Sequence, residues 1–514
     1  MLNNITVNRG RGGLGRPLEG TDYYSALLFY SGATLPTGFT SATRMQIANS
    51  VQEAEDLGIT NTHLGETVAV AKAAIGGTPA AGDTVKITYT GIDGLETVLS
   101  TYTLTSGDAT STTTAAAALA AAINLETVNT GFSATSATAN LLINTKGGEG
   151  IFPNSGTPYA STVTGGSTLT WTQPTGSSST VLGVASDIDI MHYHVSEFFR
   201  LQPKGKLYIG IYATADVGTF ANITDMQNAA NGEIKQMGVY YKSTAFATSH
   251  DNSIQLVSDA LTTANKPISS VCIAGEISAT ANVTALTNLH LLSNKNVSVT
   301  IAQDGANLGY HLFKATGKSI TNLGEFVGAV ALSKVSESIA WINKFQVSTT
   351  ELDTIHFANG QAYLDLSDST INNLDSYGYC FLRKIQDASG SFHNRPYTAI
   401  STTSDYSFIY LNRTIDKAIK NVRANLLPAL GSNIKVNSDG TLNPDAINYF
   451  KTLAEQGLDN LLRAQELSDY AVIIDPAQDV LATSTLEITV ELLPLGVADF
   501  ITVNIGFTNA LSTN

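Results

Sequence analysis

The chain has 514 residues, 43% of them hydrophobic, yet only 14% are Asp, Glu, Lys or Arg, against about 25% in an ordinary soluble domain. A formal net charge of −15 excludes general binding to a phosphate backbone, which needs clustered Lys and Arg, and two cysteines, Cys272 and Cys380, exclude a disulfide framework. The length implies roughly three domains, and a polar but weakly charged surface desolvates at low cost, as suits a chain that buries itself against copies of itself.

Residues 1–20 read as an extended arm: the β-prone Ile5-Thr6-Val7 precedes RGRGGLGRP (9–17), whose glycines and proline forbid a helix. No apolar segment follows the start, so no export signal is expected, and the longest apolar run, 115–123, is short of the ~20 residues that span a bilayer. A strand over 26–30 and a helix ending near Leu57-Gly58 come next. From residue 67 to 180 the composition shifts to Thr, Ala, Gly and Ser. Here Val85, Ile87 and Tyr89 alternate with Thr and Lys, 96–108 repeats the pattern, and an Ala-rich helix over 114–124 follows. This reads as a small β-rich domain inserted into a host, with the Ser/Thr/Gly tract 175–180 as exit linker.

The host resumes in short continuous β-branched runs at 207–213, 270–274 and 297–302, with helical patterns at 223–237, 253–264 and 283–292 between them. Such alternation indicates a mostly parallel α/β sheet. Further on, Leu411, Ile415, Ile419, Val422 and Leu426 mark one face of an amphipathic helix closed by Pro428. Asn443-Pro444 is a cap and first-turn pair for a second helix carrying Ile447, Phe450, Ala454 and Leu461. A strand over 471–474 precedes two alternating segments, 486–492 and 500–506, joined by Pro494-Leu495-Gly496 and read as a closing hairpin.

The order of these features resembles the contractile tail sheath family of phages and of type VI and extracellular injection machines. The residues that carry the resemblance are Asp405-Tyr406, YLNRTIDKAIKNVRANLLPAL (410–430), the capped second helix, a strand ending at Asp475-Pro476, and TLEITVELLPLGVADFITVNIGF (485–507). The stretches 191–203 and 324–345 are similar to the branch found in Bacteroidetes-type phages. Over about three-quarters of the chain, order and context carry the match rather than one motif. It implies an α/β and α+β multidomain protein with a mostly parallel central sheet. The expected divisions are an extended arm 1–20, a first core part 21–66, a peripheral β-rich surface domain 67–180, an α/β core 181–345, an assembly domain 346–495 and a strand arm 496–514.

The resemblance also implies a homo-oligomer of stacked rings around an inner tail tube protein, meeting baseplate and tail terminator proteins. Ejection of the tube would follow an extended-to-contracted rearrangement. No nucleic acid, membrane insertion, cofactor or metal is implied, and the location would be a tail or injection particle assembled in the host cytoplasm. Terminal strands with unpaired N–H and C=O groups suit strand addition between subunits, so Ile5, Val7, Gly12, Gly15, Ile501, Val503 and Ile505 are expected to serve inter-subunit strand exchange. Arg413, Lys417, Lys420 and Arg423 fall at helical spacing and are expected to form a basic strip facing an acidic tube, against the plainer reading of a solvated face.

Enzyme-like features are weaker. The GxGxxG pattern at 10–15 is followed by Arg16-Pro17 instead of a helix. Ala315-Thr316-Gly317-Lys318-Ser319 has Leu312 where a phosphate loop needs glycine. On a strand, His192 and His194 would share a face with Glu197 opposite, leaving no metal set. Asp216, Glu276 and Asp304 lie just beyond expected strands, where α/β enzymes keep catalytic groups. The competing readings are an α/β hydrolytic enzyme with a surface-binding module, another tail or baseplate component, and a secreted adhesin.

Overall fold

A computed structural model describes residues 20–31, 35–177, 179–241, 245–277, 280 and 282–503. Ile5, Val7, Gly12, Gly15 and Ile505 therefore lie outside the described residues. The chain is a mixed α/β multidomain protein with several sheets, divided into two compact units. The first comprises residues 1–333 and 339–409, the second 334–338 and 410–514.

In chain order, the first unit opens with β1 (Ser25–Ser31), β2 (Met45–Ala48) and α1 (Val51–Asp56). The insertion then supplies β3 (Val70–Gly77), β4 (Thr84–Thr90), β5 (Glu96–Thr103), α2 (Thr112–Leu125), α3 (Thr127–Thr130), β6 (Ser133–Ala137), β7 (Asn140–Asn144), β8 (Tyr159–Thr164) and β9 (Ser167–Thr172). The host continues with α4 (Asp187–Leu201), β10 (Leu207–Ala213), α5 (Asn222–Ala229), β11 (Gln236–Tyr241), α6 (Thr248–Thr263) and β12 (Ser270–Ala274). Next come β13 (Ser293–Asn294), β14 (Val297–Thr300), β15 (Ala302–Asp304), α7 (Leu308–Thr316) and α8 (Leu323–Leu332). The unit ends with β16 (Ile355–Phe357), α9 (Asp368–Ser376), β17 (Leu382–Ile385), β18 (Ala388–His393) and β19 (Ala399–Ile400).

The central sheet has the order β14-β12-β11-β1-β10-β2. Its first five strands run parallel, and β2 pairs antiparallel with β10. β1 is buried from Ser25 to Tyr30 because both its faces are covered, which is why 26–30 reads as a continuous apolar run. Leu27 and Phe29 face α4 and α8, whereas Ala26, Leu28 and Tyr30 face α5 and α6. Helices α4 and α8 approach closely: a Cβ on Gly324 would stand 2.0 Å from the His194 carbonyl oxygen, and one on Gly328, a turn further, 2.9 Å from that of Phe198. Ser186 starts α4 by accepting from the N–H groups of Ile188 and Asp189.

The insertion has a core of its own, built from Ala71, Ile87, Tyr89, Leu119, Ile123, Phe132 and Ile143 among others. Two antiparallel sheets, β6-β7-β3-β9 and β5-β4-β8, enclose it with α2, whose Ser111–Thr114 capping box satisfies donors at both ends of the turn.

Several expectations are corrected. His192, His194 and Glu197 lie on α4, not on a strand. The pattern at 223–237 contains the short α5 and then β11, because its apolar positions serve a helix first and a buried strand next. Residues 283–292 form two short 3₁₀ turns, at Val283–Ala285 and Leu289–Leu291.

Candidate functional site

The second unit carries α10 (Ile409–Leu426), whose first residue belongs to the other unit, α11 (Pro444–Arg463), β20 (Asp469–Ile473), α12 (Val480–Thr483) and β21 (Thr489–Leu493). Asn443 caps α11 through the Asp445 N–H, with Pro444 in the first turn. Ala418 from α10, Ala454, Leu458 and Leu461 from α11, and Val472 from β20 make its small core.

β20 and β21 form a two-stranded antiparallel sheet, with Tyr470 opposite Leu492 and Val472 opposite Val490 on the core side. The expected hairpin between 486–492 and 500–506 is therefore corrected. β21 turns back onto β20, and no strand is formed over 494–503. Alternation shows which face a strand buries but not which strand it meets. Neither outer edge of this sheet has a partner strand among the described residues.

Beside β21 runs an apolar groove of about 600 Å³, lined by Ile415, Ile419, Val422, Leu426, Val490 and Leu492 with Arg423 at its rim. The amphipathic stripe of α10 is thus only half used by its own core: Ile419 is 53% exposed. Beyond β21, Phe500, Ile501 and Val503 are exposed, the last two at 80% and 70%. The continuation of apolar residues into Leu427 and Leu430, both exposed, was the available sign of a surplus.

The four cations of α10 do not form one exposed strip, because the helix packs along part of that face. Arg413 is 3% exposed and its guanidinium donates to the Lys334 carbonyl at 3.3 Å. Lys417 is ion-paired with Glu466 at 2.8 Å. Lys420 and Arg423 are exposed.

The enzyme-like positions are scattered in the first unit. On α4, His192 meets Glu55 at 3.0 Å, while His194 turns into the core beside Phe29 and Tyr240. Burial pushes the His194 imidazole down to about 3, so it is neutral. Glu197 is bound by Arg200 at 2.6 Å, although burial still raises its carboxyl above the usual range. Asp304 spends both oxygens on backbone donors: Oδ2 accepts from Ala306, Asn307 and Tyr310, and Oδ1 from Leu352. Asp216 and Glu276 are half-buried in separate turns after β10 and β12. Gly317 is the left-handed cap that ends α7, so the 315–319 segment closes a helix where a phosphate loop would open one. Cys272 and Cys380 are buried free thiols, both pushed up by burial. Among the described residues no cluster of three metal-ligating side chains occurs, and no helix is long and apolar enough to cross a membrane.

The sequence matches the family described as DUF2586, N-terminal domain, over residues 2–395, and DUF2586, C-terminal domain, over residues 405–512. No curated protein matches it. Among solved structures it is similar to the anti-feeding prophage helical sheath in the contracted state, at 14% identity and a TM-score of 0.44 over 62% of this chain and 81% of that one. It is also similar to the contracted PVC sheath complex of an extracellular contractile injection system, at 13% identity and a TM-score of 0.41 over 62% and 80%. The sheath tail protein from Listeria innocua aligns over 93% of this chain and 96% of its own, at 10% identity and a TM-score of 0.38.

Proposed function

The chain belongs to the DUF2586 family, and we propose that it is a structural subunit of a contractile tail sheath, without catalytic activity of its own. The observation that carries this reading is the incompleteness of the second unit. A two-stranded sheet is marginal in water by itself. Here it has no partner strand at either edge among the described residues, an apolar groove beside one edge, and exposed apolar residues in the segment that follows. Such a surface is finished by an added strand, whose backbone gives affinity and whose alternate side chains enter the groove. The segment around Ile501, Val503 and Ile505 has that alternation, and so does the Ile5–Val7 stretch. Strands supplied by neighbouring copies would link subunits into stacked rings around an inner tube. Gly12 and Gly15 would let the link bend as the lattice passes from extended to contracted. Baseplate and terminator proteins would close the two ends of such a particle, a phage tail or an injection device.

Negative-stain electron microscopy of the purified chain, with and without residues 496–514, tests the reading. The full chain is expected to form hollow, striated tubes, and the shortened one to stay dispersed with an unchanged melting profile. Equal polymerisation of both would remove strand exchange by this segment. A full chain that makes no tube even on an inner-tube template would remove the sheath reading.

A further inference from the structure

The joint between the insertion and its host lies wholly within the first unit, and its geometry is not that of a tether. The chain enters and leaves through a short antiparallel stem. Thr67 and Val184 exchange both backbone hydrogen bonds, at 2.9 and 2.8 Å, and Val70 and Val181 do the same at 2.9 and 3.1 Å. A second contact is made far from the stem in sequence. The loop after β7, residues 145–151, lies between the insertion's core and the end of α7.

On the insertion side, the carboxylate of buried Glu149 accepts from the Tyr89 hydroxyl at 3.0 Å and pairs with Lys146 at 3.2 Å. On the host side, the Ile151 N–H donates at 2.8 Å to the carbonyl of Ala315, one of the last of α7. Carbonyls at a helix end have no partner within the helix, so the insertion completes the host helix. Glu66, at the host end of the stem, accepts from the N–H groups of Gly148 and Gly150 at 2.8 and 3.0 Å. Asn154 and Gly183 exchange two hydrogen bonds of 2.8 Å across the same joint.

The fit leaves no slack. Gly150 has a φ of +50°, and a Cβ there would stand 2.2 Å from the Ala315 oxygen; a Cβ on Gly183 would stand 2.0 Å from the Gly150 oxygen. The backbone at 150 is thus clasped between the stem and the end of α7, an approach that only glycines permit. Beneath it, Ile151 packs against Gly317.

We infer that the 145–151 loop is a latch that fixes the insertion to α7, so that insertion and host turn as one rigid body. Two separate attachments, the stem and the latch, remove the swivel that a stem alone would leave. Any surface the insertion touches is then carried through whatever rotation the host makes. The inference does not depend on the sheath reading.

Paired spin labels report it directly. Thr101→Cys on β5 and Leu256→Cys on α6 are both exposed, and the two natural thiols are buried and stay unlabelled. In the full chain the inter-label distance is expected to form one narrow population. Gly150→Val, which cannot fit the clasp, is expected to broaden it roughly twofold, and the milder Glu66→Gln to broaden it less. Circular dichroism of each variant, unchanged from the parent, shows that the insertion itself stays folded. A broad distribution in the parent, or a narrow one in both variants, overturns the latch.

Discussion

The two units treat apolar surface in opposite ways. In the first, the parallel sheet is covered on both faces, its central strand is buried over all but its last residue, and even strand-end carboxylates such as Asp304 are consumed by backbone donors. In the second, one short sheet has no partner strand at either edge among the described residues, and α10 holds an apolar stripe that its own core uses only in part. The first unit covers its apolar surface by itself, whereas the second leaves part of its own uncovered. The same kind of side chain therefore does different work in each place. In the first it maintains the fold, and in the second part of it stays uncovered, the part that the proposed reading assigns to contact between copies.

The largest effect that would break this contrast is a core truncation in the first unit. Phe198, on α4, is fully buried in the core that α4 and α8 share with the sheet. Phe198→Ala is expected to cost about 3–5 kcal/mol, read as a lower denaturant midpoint of the monomer. A much smaller loss would mean that this core is as loosely built as the second unit.

Next is Asp251 on α6, fully buried, with neither carboxylate oxygen hydrogen-bonded. Burial pushes its carboxyl from 3.8 up to about 8. The folded chain thus holds this proton more tightly than the unfolded one. The contribution to stability is fully present below pH 4 and is lost as pH rises through about 8. Asp251→Asn removes that loss. At pH 8 and above the variant is expected to be more stable than the parent by several kcal/mol, with the gain disappearing toward pH 4. Denaturation across this pH range measures it, and equal slopes for parent and variant would refute it.

How much of this was legible in sequence follows from the same division. The runs at 207–213, 270–274 and 297–302 were readable because strands buried on both faces need continuous β-branched residues. The Asn443-Pro444 start of α11 was readable because capping is local chemistry. His192, His194 and Glu197 were placed on a strand because α4 is buried nearly all round and shows no clean polar face. The pairing of β21 with β20 was hidden for a different reason, since alternation is the same whichever strand lies alongside. The latch depends on Gly150 meeting Ala315 across a wide separation in sequence, and no local pattern announces that meeting. Of the four α10 cations, spacing placed them correctly along the helix, but not which would be engaged by Lys334 and Glu466.

In the second unit the expected pattern is reversed: little change in the monomer and a large change in assembly. Ile419 lines the groove while half exposed. Ile419→Lys is expected to alter monomer stability by no more than about 0.5 kcal/mol, as for surface positions generally, yet to abolish tubes under the electron microscope. If tubes persist, the groove is not where copies meet, and the comparison of the units loses its functional half.

The smallest effect concerns the two exposed cations of α10, Lys420 and Arg423. Single exposed charges are worth about 0.2–1 kcal/mol and are screened by salt, so their removal should leave both the fold and sheath polymerisation intact. What should fall is co-sedimentation of the sheath with an acidic inner tube. Lys420→Glu with Arg423→Glu replaces two attractions by two repulsions, and the deficit should shrink as salt is raised in both parent and variant. Lys417→Glu is the informative control. It sets a carboxylate against Glu466 and should destabilise the second unit itself, a loss visible without any tube present. Unchanged co-sedimentation of the double variant at physiological salt would make Lys420 and Arg423 a solvated face and leave apolar strand addition as the whole of the second unit's work.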